Sequence, residues 1–245
     1  MPAELALPEA RRKEVVRQGL SVGIATGLYG VSFGALSVAS GLSILQTQAL
    51  SLLMFTGGSQ FALVGVLGAG GSGASAIATA SLLGVRNGLY ALKTSQFLHV
   101  RGLRRLLAAH ITIDESTAVG IGQEEPAAQR LGFWVTGMAV LAGWNLMTFV
   151  GALAGNALGE PETWGLDAAA AGAFCALLWP RLSTGDGRAA AVLAAFIALL
   201  TIPVVPSGIP VILAALAAVV IGLARHGRHE RADEEAGLPG ADPTP

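Results

Sequence analysis

Long stretches of this chain carry almost no charge, and that constrains its fold more than any motif does. The charged residues crowd into 9–17, 99–105, 114–130, 160–167, 181–188 and 225–235, and almost all the rest is apolar or small. A helix needs about 20 apolar residues to cross the hydrocarbon core of a bilayer. The candidate segments are 19–40, 48–69, 76–97, 131–157, 167–182, 189–205 and 210–224. In lipid each backbone polar group must be satisfied internally, so each segment is read as a helix, or as a broken helix shielded by its neighbours. The fold class expected is all-α: a polytopic transmembrane helix bundle of about seven hydrophobic segments, one of them re-entrant or broken. Residues 1–18 form a polar cytoplasmic N-terminus, 19–224 the transmembrane transporter domain, and 225–245 a polar tail expected to be disordered.

Composition excludes several functions. Only 13% of residues are charged, against about 25% in a typical soluble domain. A net charge of −1 leaves no basic footprint for nucleic acid. The single Cys175 cannot form an internal disulfide and is read as a packing residue. His226 and His229 lie in the polar tail without carboxylates at metal spacing, so no metal or other cofactor is expected. Gly68, Gly70 and Gly73 match a dinucleotide-binding spacing, but no strand precedes them, and they are read as an interhelical loop. No nucleophile–base pair stands at useful spacing, so the chain is not read as an enzyme.

Orientation follows the basic residues of short loops, which stay in the cytoplasm. Arg101, Arg104 and Arg105 mark 98–106 as cytoplasmic, Glu160, Glu162 and Asp167 suit the far side, and Arg181 and Arg188 return inside. Arg11, Arg12, Lys13 and Arg17 also ask to be cytoplasmic, yet three full crossings would separate them from 98–106. Either the N-terminus is outside or one early segment does not cross. The suspect is 48–69, whose middle holds Gly57, Gly58, Ser59 and Gln60. Each glycine weakens a helix by about 1 kcal/mol relative to alanine, and freed carbonyls there would line a polar cavity.

Other polar residues interrupt the apolar segments. Gly23, Gly27, Gly30 and Gly34 leave one face of the first segment nearly without side chains, and Gly151, Gly155 and Gly159 repeat the pattern. Such faces pack helices together in lipid. Arg86, Tyr90, Lys93 and Phe97 share a face of the third segment. Lys93 is near enough to the basic loop to snorkel, but Arg86 lies two turns deeper, where a cation costs about 2.5–3.5 kcal/mol and marks a functional candidate. Asp114 and Glu115 lie either at the membrane surface or tucked into the bundle against Arg86 or Lys93, where a carboxylate suits proton exchange. Asn145, in an apolar run, needs a partner, either another helix or a solute, while Trp144 beside it is read as core.

These residues resemble a known family, the AzlC-like branched-chain amino acid permeases, the large subunits of LIV-E exporters. The resemblance rests on GLYGVSFGALSVASGLS at 27–43, MFTGGSQFALVGVL at 54–67, VRNGLYALK at 85–93, TIDEST at 112–117, and the pair WNLMTFVGALAG and WGLDAAAAGAF at 144–155 and 164–174. It implies a secondary transporter subunit exporting branched-chain or similar hydrophobic amino acids, coupled to the proton-motive force. It also implies a small AzlD-like membrane subunit of about four spans as partner, and the plasma or inner membrane of a prokaryote as location. Gly57, Gly58, Ser59, Gln60, Arg86, Asn87, Tyr90 and Asn145 are the candidate substrate-binding residues, and Asp114 and Glu115 the candidate proton-coupling residues. Two positions depart from the family pattern: Asn87 stands where a histidine is usual, and Gly57-Gly58 where Ala-Ala is frequent. The alternative is a non-transporting membrane subunit that positions a partner through its glycine faces.

Overall fold

The computed structural model describes residues 7–158, 175, 178–206 and 209–215. The chain divides into two compact units, Met1–Phe174 and Cys175–Pro245. Among the described residues the structure is all-helical. In the first unit the order is α1 (Glu9–Ala39), α2 (Ile44–Leu53), α3 (Gly58–Gly68), α4 (Gly73–Leu98), α5 (Leu103–His110), α6 (Asp114–Ile121) and α7 (Pro126–Leu158). In the second, a short 3-10 helix (Trp179–Ser183) precedes α8 (Gly185–Thr201), whose N-cap Thr184 accepts the Gly187 N–H at 3.0 Å.

Local chemistry sets the boundaries. Ser43 caps α2 by accepting the Gln46 N–H at 3.2 Å while Gln46 Oε1 accepts the Ser43 N–H at 2.8 Å, a reciprocal box that satisfies two orphan donors. Ser72 caps α4 in the same sense, accepting the Ser75 N–H at 3.1 Å. Between α2 and α3 the chain turns through Gly57 at φ +62°, a conformation that glycine adopts without a Cβ penalty. Between α5 and α6 the hydroxyl of Ser116 accepts the Ile113 N–H at 3.1 Å and donates to the Ile111 carbonyl at 2.6 Å, holding the second break closed.

α1 and α7 form the spine of the first unit. They meet along glycines: Gly19 lies against Thr136, Gly23 against Ala139, Gly27 against Gly143, Gly30 against Trp144 and Gly34 against Thr148, with Gly151 and Gly155 answering Val31 and Ala35. The numbers rise together, so the two helices run parallel. The glycine faces are therefore used within the chain, as their spacing predicts, except Gly159, which lies outside the described residues. Around the spine, Phe33, Phe55, Phe61, Ile113, Val140 and Trp144 form a buried cluster, with Tyr29 packed against it. Phe33 stacks on Trp144 with ring centroids 5.9 Å apart. The outer faces carry exposed apolar side chains, among them Leu20, Ile24 and Leu28 on α1 and Leu146, Val150 and Leu153 on α7.

The expected segments map onto these elements unevenly. Two helices among the described residues are long and apolar enough to cross a membrane, α1 and the Pro126–Ala157 stretch of α7. The 48–69 segment is not one span but parts of α2 and all of α3 joined by a turn, because Gly57 breaks the helix where the glycine pair predicts. The 76–97 segment lies in α4, which is long enough to span but diluted by Arg86, Asn87, Lys93, Thr94 and Ser95. Most of 189–205 lies in α8, whereas 167–182 and 210–224 fall largely outside the described residues, as do Glu160, Glu162, Asp167 and the tail with His226 and His229. Cys175, read as a packing residue, is exposed. Gly70, at φ +75°, belongs to the α3–α4 connection, consistent with the loop reading of the glycine motif.

Candidate functional site

Both helix breaks of the first unit converge on α4. Arg86 reaches across to Asp114, the first residue of α6, with Nη2 2.8 Å from Oδ2. The same nitrogen donates to the Thr56 carbonyl in the α2–α3 break at 3.4 Å. One turn along α4, the Tyr90 hydroxyl donates to Asp114 Oδ1 at 2.6 Å. Asn87 Nδ2 donates to the carbonyl of Thr112, in the α5–α6 break, at 3.2 Å. The breaks also touch directly, since the rings of Phe55 and His110 lie 5.8 Å apart. One arginine, one carboxylate, one phenol and one amide thus tie α4 to two interruptions whose backbone groups are no longer consumed by helix.

The pair is not sealed. Arg86 and Asp114 keep 29% and 32% of their side-chain surface open. Several polar atoms nearby are buried without a partner: Thr56 Oγ1, Ser59 Oγ, Gln60 Oε1, Arg86 Nε and Asn87 Oδ1. Buried polar atoms are normally satisfied, so these atoms have hydrogen-bonding capacity to offer a polar ligand. Beside them a cleft of about 200 Å³ lies between the α2–α3 break and α4, with Thr56, Ser59 and Ser81 among Met54, Leu63, Ile77 and Ala80. Its walls are mostly aliphatic, and its volume is below the usual 300–1,000 Å³ of sites for larger ligands.

Residues 21–158 match the AzlC protein family. The chain belongs to the AzlC family. This is a transport-associated family rather than an enzymatic one, linked in general to branched-chain amino acids. With its apolar helices, the match makes the chain a membrane protein. No curated protein and no solved structure matches it.

The two positions singled out by the resemblance, Asn87 and Gly57-Gly58, both fall at this site. Asn87 supplies an amide whose nitrogen is committed to Thr112 and whose oxygen is unpartnered. A Cβ at Gly58 would lie 2.9 Å from Arg86 Nη2, so glycine lets the guanidinium settle closer to the start of α3 than alanine would. Of the other predicted residues, Gly57 makes the turn, and Ser59 lines the cleft. Gln60 is buried and donates to the carbonyls of Leu50 and Ser51 at 3.2 and 3.4 Å, tying α3 to the end of α2. Asp114, rather than Glu115, meets Arg86, because it is the α6 residue facing α4. Lys93 is exposed, and Phe97 packs on Phe133. Asn145 is engaged elsewhere: its amide donates to its own helix at Leu141, 2.8 Å away, and its oxygen accepts from Gln48 at 3.4 Å. Sequence reasoning missed Thr56 and Thr112, whose part is played by backbone carbonyls that no side-chain pattern advertises.

Proposed function

We propose that this AzlC-family chain is the large subunit of a secondary exporter of branched-chain or similar hydrophobic amino acids, in a prokaryotic plasma membrane and with a small four-span partner subunit. The observation that carries the reading is the meeting of two helix breaks at the Arg86–Asp114 pair beside an aliphatic cleft. An amino acid needs these three things: a cation for its carboxylate, polar acceptors for its ammonium, and an apolar wall for its side chain. In this reading Arg86 takes the carboxylate, the Thr56 and Thr112 carbonyls and Asn87 receive the ammonium, and Met54, Leu63 and Ile77 face the aliphatic chain. Substrate competes with Asp114 for Arg86, and a proton on Asp114 releases the arginine, which couples solute to proton movement. Glu115, the next residue of α6, is the second carboxylate available to that exchange. Each elementary charge moved through the membrane potential contributes about 2.3 kcal/mol per 100 mV, enough to drive uphill efflux. The chain as a whole is read as a polytopic helix bundle of about seven hydrophobic segments.

Cells expressing the chain with its partner and preloaded with labelled leucine or valine are expected to lose label faster than controls, and an uncoupler is expected to abolish the difference. Arg86→Ala should remove it when compared at matched membrane abundance. Efflux that is unchanged by expression, or untouched by Arg86→Ala in an abundant protein, would refute the reading and favour a non-transporting subunit.

A further inference from the structure

The chain runs continuously from α1 to α7 through residues 9–158. Because α1 and α7 run parallel, the chain must cross back an odd number of times between them. The α2–α3 pair does not make that crossing. α2 leaves from Ser43, just past the end of α1, and α3 returns to the same place, where a Cβ on Gly68 would lie 2.8 Å from Ser40 Oγ. Nor does the α5–α6 pair. α5 leaves just after Leu98, and α6 returns with Gly120 against Phe97 and Phe133, at the end of α4 and the start of α7. The single return is α4, which begins beside the end of α1 and finishes beside the start of α7.

Lengths agree with this path. At about 1.5 Å per residue, the 26 residues of α4 reach about 39 Å, beyond the roughly 30 Å of hydrocarbon. The arms α2 and α3, of 10 and 11 residues, reach about 15 and 17 Å, half the core each. The arms α5 and α6, with 8 residues each, reach about 12 Å.

Residues 9–68 and 73–121 therefore repeat one plan: a spanning helix, then a hairpin of two half-helices re-entering from the side on which that helix ended. Since α4 opposes α1, the second copy is upside down. We propose that the two segments are an inverted-topology pair whose hairpins enter the membrane from opposite faces, α2–α3 from outside and α5–α6 from the cytoplasm, and meet at Arg86 and Asp114. The charges give the orientation. Arg11, Arg12, Lys13 and Arg17 at the start of α1, Arg101, Arg104 and Arg105 after α4, and Arg130 at the start of α7 all gather at one end, which basic residues assign to the cytoplasm. The site is then reached from each side of the membrane past a different hairpin. The arrangement does not depend on which solute is carried.

The test is single-cysteine labelling in the full chain with Cys175→Ala, in intact cells, with a membrane-impermeant maleimide. Ser43→Cys and Ser72→Cys flank the first hairpin and are exposed, as are Arg101→Cys and Glu124→Cys beside the second. Cysteines at 43 and 72 are expected to label in intact cells, and those at 101 and 124 only after permeabilisation. A permeant maleimide should label all four, and Gly71, Gly102 and Glu125 replace any position that stays silent to it. Labelling of 43 and 72 from opposite faces, of 101 and 124 from opposite faces, of all four from one face, or of the two pairs in the reverse sense overturns the proposal.

Discussion

Replacing Gly30 by alanine tests the spine of the fold. A methyl at this position would lie 2.8 Å from the Trp144 carbonyl oxygen and 3.3 Å from its Cα, both of them α7 backbone. Ordinary contact begins near 3.4 Å, so α1 and α7 must part by about 0.6 Å, and no rotamer change relieves the clash. A gap of that size forfeits about a quarter to a half of each dispersion contact, and it does so along the whole glycine seam from Gly19 to Gly155. Overpacking of this kind costs about 1–3 kcal/mol, opposed by the roughly 1 kcal/mol that alanine gains over glycine within a helix. The matched control is Gly88→Ala in α4, where nothing lies within 4 Å of the added methyl and only the helix gain remains. In mixed-micelle denaturation, Gly30→Ala should lower stability by up to about 2 kcal/mol and Gly88→Ala should raise it by about 0.5–1 kcal/mol. A Gly30→Ala protein as stable as Gly88→Ala would show that the helices are not in backbone contact and would refute the parallel spine on which the topology rests.

Three further outcomes are expected. Arg86→Ala should destabilise the protein more than the double substitution Arg86→Ala/Asp114→Ala, because the single change strands a carboxylate; the part exposure of the pair keeps the difference to about 1–2 kcal/mol, and a double-mutant cycle in detergent measures it. Ser40→Cys/Gly68→Cys places the two Cβ atoms about 3.4 Å apart, close to disulfide range. Oxidation of that pair should stop leucine efflux by pinning the outer hairpin, and reduction should restore it; efflux that persists in the oxidised protein would show that this hairpin is not a gate. Gln60→Leu removes the donors to the Leu50 and Ser51 carbonyls, and should cost about 1–2 kcal/mol in thermal unfolding while leaving the Arg86–Asp114 pair in place.

The amino-acid sequence made part of this architecture readable because the relevant signals are local. Glycines at helical spacing mark a face for close approach wherever the partner lies, and Gly57 and Gly58 mark a break within an apolar run. Arg86 and Asp114 were legible as an expensive cation and a nearby acid. What could not be read was pairing across distance. Parallel contact between α1 and α7 joins residues more than 100 positions apart, and the return of α3 to the end of α1 brings Gly68 against Ser40. The α2–α3 stretch passes for a span because two short apolar helices joined by a turn have the composition of one long one. Asn145 misled for a related reason: a polar residue in an apolar helix demands a partner, but the demand is met by Leu141 and Gln48 as well as by any solute.

The seam between α1 and α7 has a consequence for how this protein can vary. Where two side chains meet, a change in one can be answered by a change in the other. Where Gly34 meets the carbonyl of Thr148, or Gly151 that of Val31, the facing surface is main chain, which no substitution trims. Those positions accept one residue and have no second-site suppressor on the opposite helix. Random mutagenesis should therefore find compensated variants throughout the hairpins and at Gly19 and Gly23, which face side chains, but almost none at Gly27, Gly30, Gly34, Gly151 and Gly155.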